Sequence, residues 1–226
     1  MPNYKKELEE FAYVVSHDLN APFRHIREFA KLLVLNLGDK VTGDEVEYLQ
    51  YMEASVNQAQ AMLDALLEYS RINTCAEGRS NVNCNDLLQD VVSDLQVKID
   101  QVGASVEYEG LPAQVHVIPS QFRKLLYYIL DNALEYRRPN VATKIKIIAE
   151  EKGGFWLFSC QDNGIGIPAE QRENIFKMFR RLTSQKDPAH IGAGLTLAQK
   201  IAEKHGGEMW VEPGDKTFVC FRITRK

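Results

Sequence analysis

At 226 residues, 45% hydrophobic and 26% charged, the chain has room for one or two domains with proper cores and the composition of an ordinary folded protein. A formal net charge of −4 gives no general attraction to nucleic acid or anionic lipid. Cys75, Cys84, Cys160 and Cys220 lie far apart without a CxxC pair, which points to free thiols rather than a zinc site or a disulfide framework. No stretch approaches ~18 uninterrupted apolar residues, so the segment reads as cytoplasmic and without membrane contact.

The first predicted element is a long amphipathic helix. Val15, Leu19, Pro22, Ile26, Phe29 and Leu33 recur at alternating steps of four and three, a heptad seam. After the turn-forming "NLGDKVTGDE", Leu49, Met52, Val56, Ala59, Leu63, Leu66 and Ser70 repeat those steps, so a helical hairpin is expected. Phe11, Val14, Phe23, Ala30, Leu37 and Met62 widen the stripe beyond what two facing helices bury, and a homodimeric four-helix bundle would cover the rest. His17 lies off the seam, on a polar stripe with Arg24, Glu28 and Lys31, and is expected to be exposed. Asp18 beside it is placed to hold one imidazole tautomer and leave the other nitrogen nucleophilic. Pro22 costs a helix interior ~3 kcal/mol or more, and a bend is expected just past His17.

The linker "NTCAEGRSN" leads into a second pattern. A helix is predicted from Asn85 to about Val102, strands at "SVEYEG" and "VHVI", and a helix from Ser120 to about Tyr136. Strands follow at "TKIKIIAEE" and "GFWLFSCQD". Then come a Gly-rich turn, a short helix, a polar loop, a helix from Ala193 to His205, and strands at "GEMWVEP" and "TFVCFRIT". Mixed in this order, they predict an α+β sandwich with helices on one sheet face.

Three clusters carry chemistry. In "DNGIGIP", Gly164 and Gly166 permit close backbone approach, and Asp162, ending a buried strand, can accept a hydrogen bond from an exocyclic amine. On its own such a sequence is most often just a turn. In "IGAGLTLA", Gly192 and Gly194 open a helix whose N-terminal amides suit phosphates. In "LDNALEYRRP", Asn132 ends a helix, available to a metal or phosphate, with Arg137 and Arg138 beside it.

This order of His17 box, Asn132 box, Asp162 glycine turn, "IFKMFRRL" and second glycine turn resembles the sensor histidine kinases of two-component systems, and "SHDLNAPFRHIREFAKLL" is most similar to their phytochrome-type branch. The resemblance implies a dimerisation and histidine-phosphotransfer hairpin over residues 1–75, and a Bergerat-type (GHKL) ATP-binding domain over residues 80–226. By it, His17 takes the γ-phosphoryl group of ATP and passes it to an aspartate on a response-regulator receiver domain. Asp18 orients His17 or takes its proton, and Asp162 reads adenine. Gly164 and Gly166 match the first glycine box, and Gly192 and Gly194 the second. Asn132 holds Mg²⁺, with Tyr136 and Arg137 beside it in the nucleotide site. Phe176 and Phe179 match the phenylalanine box, where plain core packing is an equal alternative, and "RRLTSQKDPAH" matches the ATP lid, offering Arg180, Arg181 or Lys186 to phosphates. His25, His116, His190 and His205 match no catalytic position and are read as structural or surface residues.

Three positions depart from the pattern. Tyr128 stands where such kinases carry a first asparagine, Glu135 where a lysine is common, and Thr196 at the last glycine of the second box. All three are expected around the triphosphate and Mg²⁺, where phosphoryl transfer depends on charge neutralisation. An ATP-dependent kinase is therefore weighed against a non-catalytic dimeric phosphotransfer scaffold that keeps His17 and carries a degenerate ATP domain.

Overall fold

A computed structural model describes residues 3–37, 43–182, 190–213 and 217–225, and within the first helix the side chains of 14 and 18–36. Two compact units emerge, one on the N-terminal helices and one formed by Cys75–Leu182 with Gly192–Lys226. His17 lies in the first helix, but its side chain, like Val15 of the seam, falls outside the described residues, as does Lys186.

In the hairpin, α1 (Asn3–Leu37) runs as one helix through Pro22, and α2 (Asp44–Arg71) follows. Asp44, Glu45 and Glu47 crowd the first turn of α2, where the helix dipole favours anions. Ala30 is buried against α2 in a groove shared with Val34, Val46 and Leu49, and Arg27 Nη1 donates to Gln60 Oε1 at 3.2 Å. The heptad seam of α1 is not the face that meets α2. Leu19, Ile26 and Leu33 are exposed, and Phe29 is 66% exposed, while Phe23, Arg27 and Ala30 turn inward. A pair of helices covers only one side of a stripe this wide, and the small Ala30 permits the closer approach.

The first strand of the second unit starts inside the expected linker, which holds its Ser80 and Asn81. β1 (Ser80–Val82) pairs antiparallel with β3 (Val115–Val117), and three residues are too few to carry a period-2 signal. The single helix expected over residues 85–102 is two. Asn83 caps α3 (Cys84–Asp94) by accepting the Asn85 amide at 2.9 Å, and a turn at Leu95 starts α4 (Gln96–Val102). That turn lets Val91, Leu95 and Ile99 all be buried. The main sheet contains β2 (Ser105–Glu109), β4 (Lys144–Lys152), β5 (Phe155–Asp162), β6 (Glu208–Val211) and β7 (Thr217–Thr224) in the order β2-β4-β5-β7-β6, with β2 parallel to β4 and the other pairs antiparallel. Gly153 and Gly154, both at positive φ, form the two-residue β4–β5 hairpin turn, whose twist requires that geometry. Between β5 and the last helix, the expected short helix is instead two single 3-10 turns, Ala169–Gln171 and Asn174–Phe176.

Alternation along the strands builds the core. Ile145, Ile147 and Ala149 of β4, Phe158 and Cys160 of β5, and Val219, Phe221 and Ile223 of β7 are buried. Two further helices, α5 (Pro119–Glu135) and α6 (Gly194–Lys204), complete it. Phe122 of α5 meets Phe158 and Phe221 edge-on at 5.7 and 6.2 Å, while those two rings stack at 4.7 Å. His205, just past α6, ties the helices together: Nε2 accepts the Ile118 amide at 3.0 Å and Nδ1 donates to the Ile201 carbonyl at 2.8 Å. Its imidazole is neutral in this arrangement, and burial pushes its pKa below the usual value. All four cysteines are free, as expected. Among the described residues, no helix is long and apolar enough to cross a membrane.

Candidate nucleotide site

The period of β5 decides where Asp162 points. Phe158, Cys160 and Asp162 share the buried face, so the strand ends by placing a carboxylate among apolar neighbours, only 5% exposed. Oδ1 accepts the Gly164 amide at 2.8 Å, and the side chain hydrogen-bonds Thr217, its register partner on β7. Burial pushes the Asp162 pKa up, opposed by the Gly164 amide, the Thr217 hydroxyl and the charge of Arg138. A carboxylate held like this is directed toward a hydrogen-bond donor.

The turn after it is pressed onto the end of α5. A Cβ at Gly164 would sit 2.4 Å from the Tyr136 carbonyl oxygen and 2.7 Å from Asp162 Oδ1, so only glycine fits. The Ile165 amide donates to the Tyr136 carbonyl at 2.9 Å, and Arg138 Nε donates to the Gly164 carbonyl at 2.7 Å. Asn163 pins the turn to the start of β4, accepting the Lys144 amide and donating to the Ala142 carbonyl, both at 2.8 Å. Gly166 takes φ 82° and has open space where a Cβ would lie.

This turn brings Asp162, Gly164 and Gly166 to the end of α5 that carries Asn132 and Tyr136. Asn132 is half-buried, and its carbonyl accepts the Tyr136 amide at 3.1 Å. Arg137 instead caps the helix, donating from Nη1 to the Leu134 carbonyl at 3.2 Å. The neighbour that grips the glycine turn is Arg138. The Tyr136 phenol has its pKa raised by burial and by Glu135, against the lowering effect of Arg181, whose side chain hydrogen-bonds it.

The second glycine box stands at the other helix. Gly192 has φ 72°, and a Cβ there would lie 2.5 Å from the Arg180 carbonyl oxygen. Its own carbonyl accepts the Phe179 amide at 2.9 Å, and Phe179 is held at φ 64°, a conformation that large residues avoid. Gly194 begins α6 with no side-chain cap, leaving the first amides without a capping side chain. Thr196 Oγ1 donates to the Phe176 carbonyl at 2.8 Å, so this departure fastens the phenylalanine box to α6. Arg180 and Arg181 line a cleft of about 310 Å³ with Gln171, Asn174, Ile175 and Leu182.

The other two departures also have partners. A Cβ at Gly194 would lie 3.4 Å from the Tyr128 ring, so Tyr128 packs directly against the second glycine box. Glu135 pairs with Lys98 of α4 at 3.5 Å. Lys98 and Thr217 are not among the residues singled out from sequence, and Arg138 is named there only as a neighbour of Asn132. Of the first two, only Thr217 left a trace there, as the apolar-face end of an alternating strand. Among the described residues no group of three His, Cys, Asp or Glu side chains could hold a metal ion. Mg²⁺ typically takes one or two protein oxygens and completes its shell with water and phosphate oxygens, a role the Asn132 carboxamide suits.

A helical hairpin followed by a mixed sheet, a buried aspartate at the end of one strand and two glycine turns defines a histidine kinase core with a GHKL-type ATPase domain. Residues 7–75 match the His Kinase A (phospho-acceptor) domain, and residues 118–226 the Histidine kinase-, DNA gyrase B-, and HSP90-like ATPase family. Cyanobacterial phytochrome A of Nostoc sp. is 33% identical over 206 residues, 91% of this chain and 27% of that protein. Full-length ShkA in complex with AMPPNP has a similar fold, with a TM-score of 0.68 at 21% identity over 95% of this chain and 45% of that one. Histidine kinase ThkA, solved in complex with response regulator protein TrrA, gives a TM-score of 0.65 at 20% identity over 100% of this chain and 67% of that one. The chain belongs to the sensor histidine kinases. It spans little more than a quarter of the phytochrome's length.

Proposed function

We propose that this chain is the kinase core of a two-component sensor, with a phospho-acceptor hairpin over residues 1–75 and an ATP-binding domain over 80–226. Asp162 carries the reading: a carboxylate 5% exposed, braced by Gly164 and Thr217 beside a glycine turn, matches the needs of an adenine amine. Gly164 and Gly166 let the backbone approach the base. The uncapped start of α6, with Gly192 and Gly194, receives phosphates together with Arg180 and Lys186. Tyr136 lines the site, and Phe176 and Phe179 shape its lid-side wall. Arg137 contributes by holding the end of α5. Mg²⁺ bound at Asn132 would neutralise phosphate charge.

In the reaction, an imidazole nitrogen of His17 attacks the γ-phosphorus, the bond to the β-phosphate oxygen breaks, and ADP leaves. Asp18 takes the ring proton or fixes the tautomer, help typically worth 10²–10⁴-fold. The phosphohistidine then donates to an aspartate of a cytoplasmic receiver domain. The fold shared with ShkA and ThkA supports nucleotide and regulator binding as analogy. A hairpin with an exposed apolar seam supports a homodimer.

A second reading, a phosphotransfer scaffold with a degenerate ATP domain, is favoured by one observation: Tyr128 occupies the space beside Gly194 where a smaller ligand-bearing side chain would leave room. Incubation with γ-labelled ATP and Mg²⁺ separates the two. Acid-labile label on the parent, absent from His17→Ala, is the expected result. An unlabelled parent that still takes phosphate from a phosphorylated receiver through His17 would establish the scaffold.

A further inference from the structure

Lys98 reaches from α4 to two carboxylates of α5. Its Nζ lies 2.7 Å from Asp131 Oδ1 and 3.5 Å from Glu135 Oε2. Asp131 and Glu135 are one helical turn apart and share a face, so one ammonium spans both. The Glu135 side chain is only 12% exposed and that of Lys98 26%, which limits screening by solvent. The charge of Glu135 is felt at the Tyr136 phenol, to which Arg181 also hydrogen-bonds. Glu135 immediately precedes Tyr136, whose carbonyl accepts the Ile165 amide of the glycine turn at 2.9 Å, so the carboxylate pair lies at the end of α5 that meets that turn. Removing Lys98 would take one positive charge from beside these two carboxylates, and the more negative surroundings would draw on Arg181 and repel an incoming polyanion.

We propose that Lys98 is a positioning residue of the nucleotide site: by pairing with Asp131 and Glu135 it balances the carboxylate at the end of α5, so that Arg181 stays on Tyr136 and a triphosphate is admitted. This rests on the reading of the domain as an ATP site. The three side chains carry one net negative charge with Lys98 in place and two without it.

The test compares ATP with adenosine, which has the base but no phosphates, by calorimetric titration of the full chain in Mg²⁺. Lys98→Met is expected to weaken ATP binding about threefold to tenfold while leaving adenosine unchanged, because only the triphosphate meets the added repulsion. Lys98→Arg should restore the parent's preference for ATP. Glu135→Gln should tighten ATP binding in the parent background and shrink the effect of Lys98→Met, and it keeps the test available if the methionine variant does not fold. An unchanged ATP-to-adenosine ratio in Lys98→Met, or an equal loss for both ligands, overturns the inference while the ATP site stands. A parent that binds neither ligand overturns the ATP site and the inference together.

Discussion

Asp162→Asn separates what this side chain does for the ligand from what it does for the fold. Alanine would strip acceptors from the Gly164 amide and the Thr217 hydroxyl at once, about 1–3 kcal/mol for each buried group left unpaired, and would blur binding with folding. Asparagine keeps the shape and one oxygen for the Gly164 amide at 2.8 Å, but turns the other oxygen into an N–H donor. Facing the adenine amine, donor then meets donor. The loss is a charge-assisted hydrogen bond of roughly 1.5–3 kcal/mol, about a 10- to 150-fold weaker Kd for ATP. Stability should move the other way. Because burial raises the folded pKa of Asp162 above its unfolded value, its contribution is fully present in acid and lost as pH rises through the folded pKa. At neutral pH the charged form is thus held at a cost that asparagine avoids, so the variant should melt at or above the parent. The same amide can donate to the carbonyl of guanine, so the preference for ATP over GTP should narrow. Titration with a fluorescent ATP analogue, alongside thermal melts, reads both quantities. A variant that binds ATP as tightly as the parent would refute the assignment of Asp162 to adenine.

Gly164→Ala should abolish nucleotide binding and destabilise the domain by about 1–3 kcal/mol, since its Cβ would sit 2.4 Å from the Tyr136 carbonyl; titration and urea unfolding measure the two effects. His205 is held neutral with a lowered pKa, so its contribution is present above the unfolded value near ~6.5 and is lost as pH falls through the folded pKa, and the melting temperature should fall over that window in the parent but not in His205→Gln. Phe29→Glu should weaken a dimer in sedimentation at micromolar concentration while leaving the ATP domain folded, because Phe29 is 66% exposed on the free seam of α1; an unchanged dimer would place the interface elsewhere.

Much of the site was legible because it rests on short-range rules. The alternation Phe158, Cys160, Asp162 puts the carboxylate on the core face whatever the rest of the domain does, and the glycines mark the two close approaches. What was not legible depended on partners distant in the chain. From sequence Arg137 and Arg138 are equivalent; the fold gives one to a helix end and the other to the Gly164 carbonyl. Nothing local signals that Lys98 meets residues 131 and 135, or that residues 80–82 find a strand partner at 115–117. The heptad seam was readable as a pattern, but a pattern does not say which of two apolar lines faces the neighbouring helix. Burial settles that in favour of the line through Phe23, Arg27 and Ala30.

The three departures in the phosphate half of the site also read differently once their neighbours are known. Taken as isolated letters, Tyr128, Glu135 and Thr196 are losses: a metal ligand, a cation and a glycine. In the fold, Thr196 donates to the Phe176 carbonyl, Tyr128 packs against Gly194, and Glu135 is paired with Lys98. Each substituted side chain therefore has a structural task, and two of them tie together elements that border the proposed phosphate site. Restoring lysine at 135 alone would set it beside Lys98, two ammonium groups around Asp131, and the repulsion would offset part of what an added cation contributes to a triphosphate. The relevant unit of change on this side is the Lys98–Glu135 pair, because the charge presented to the ligand belongs to both.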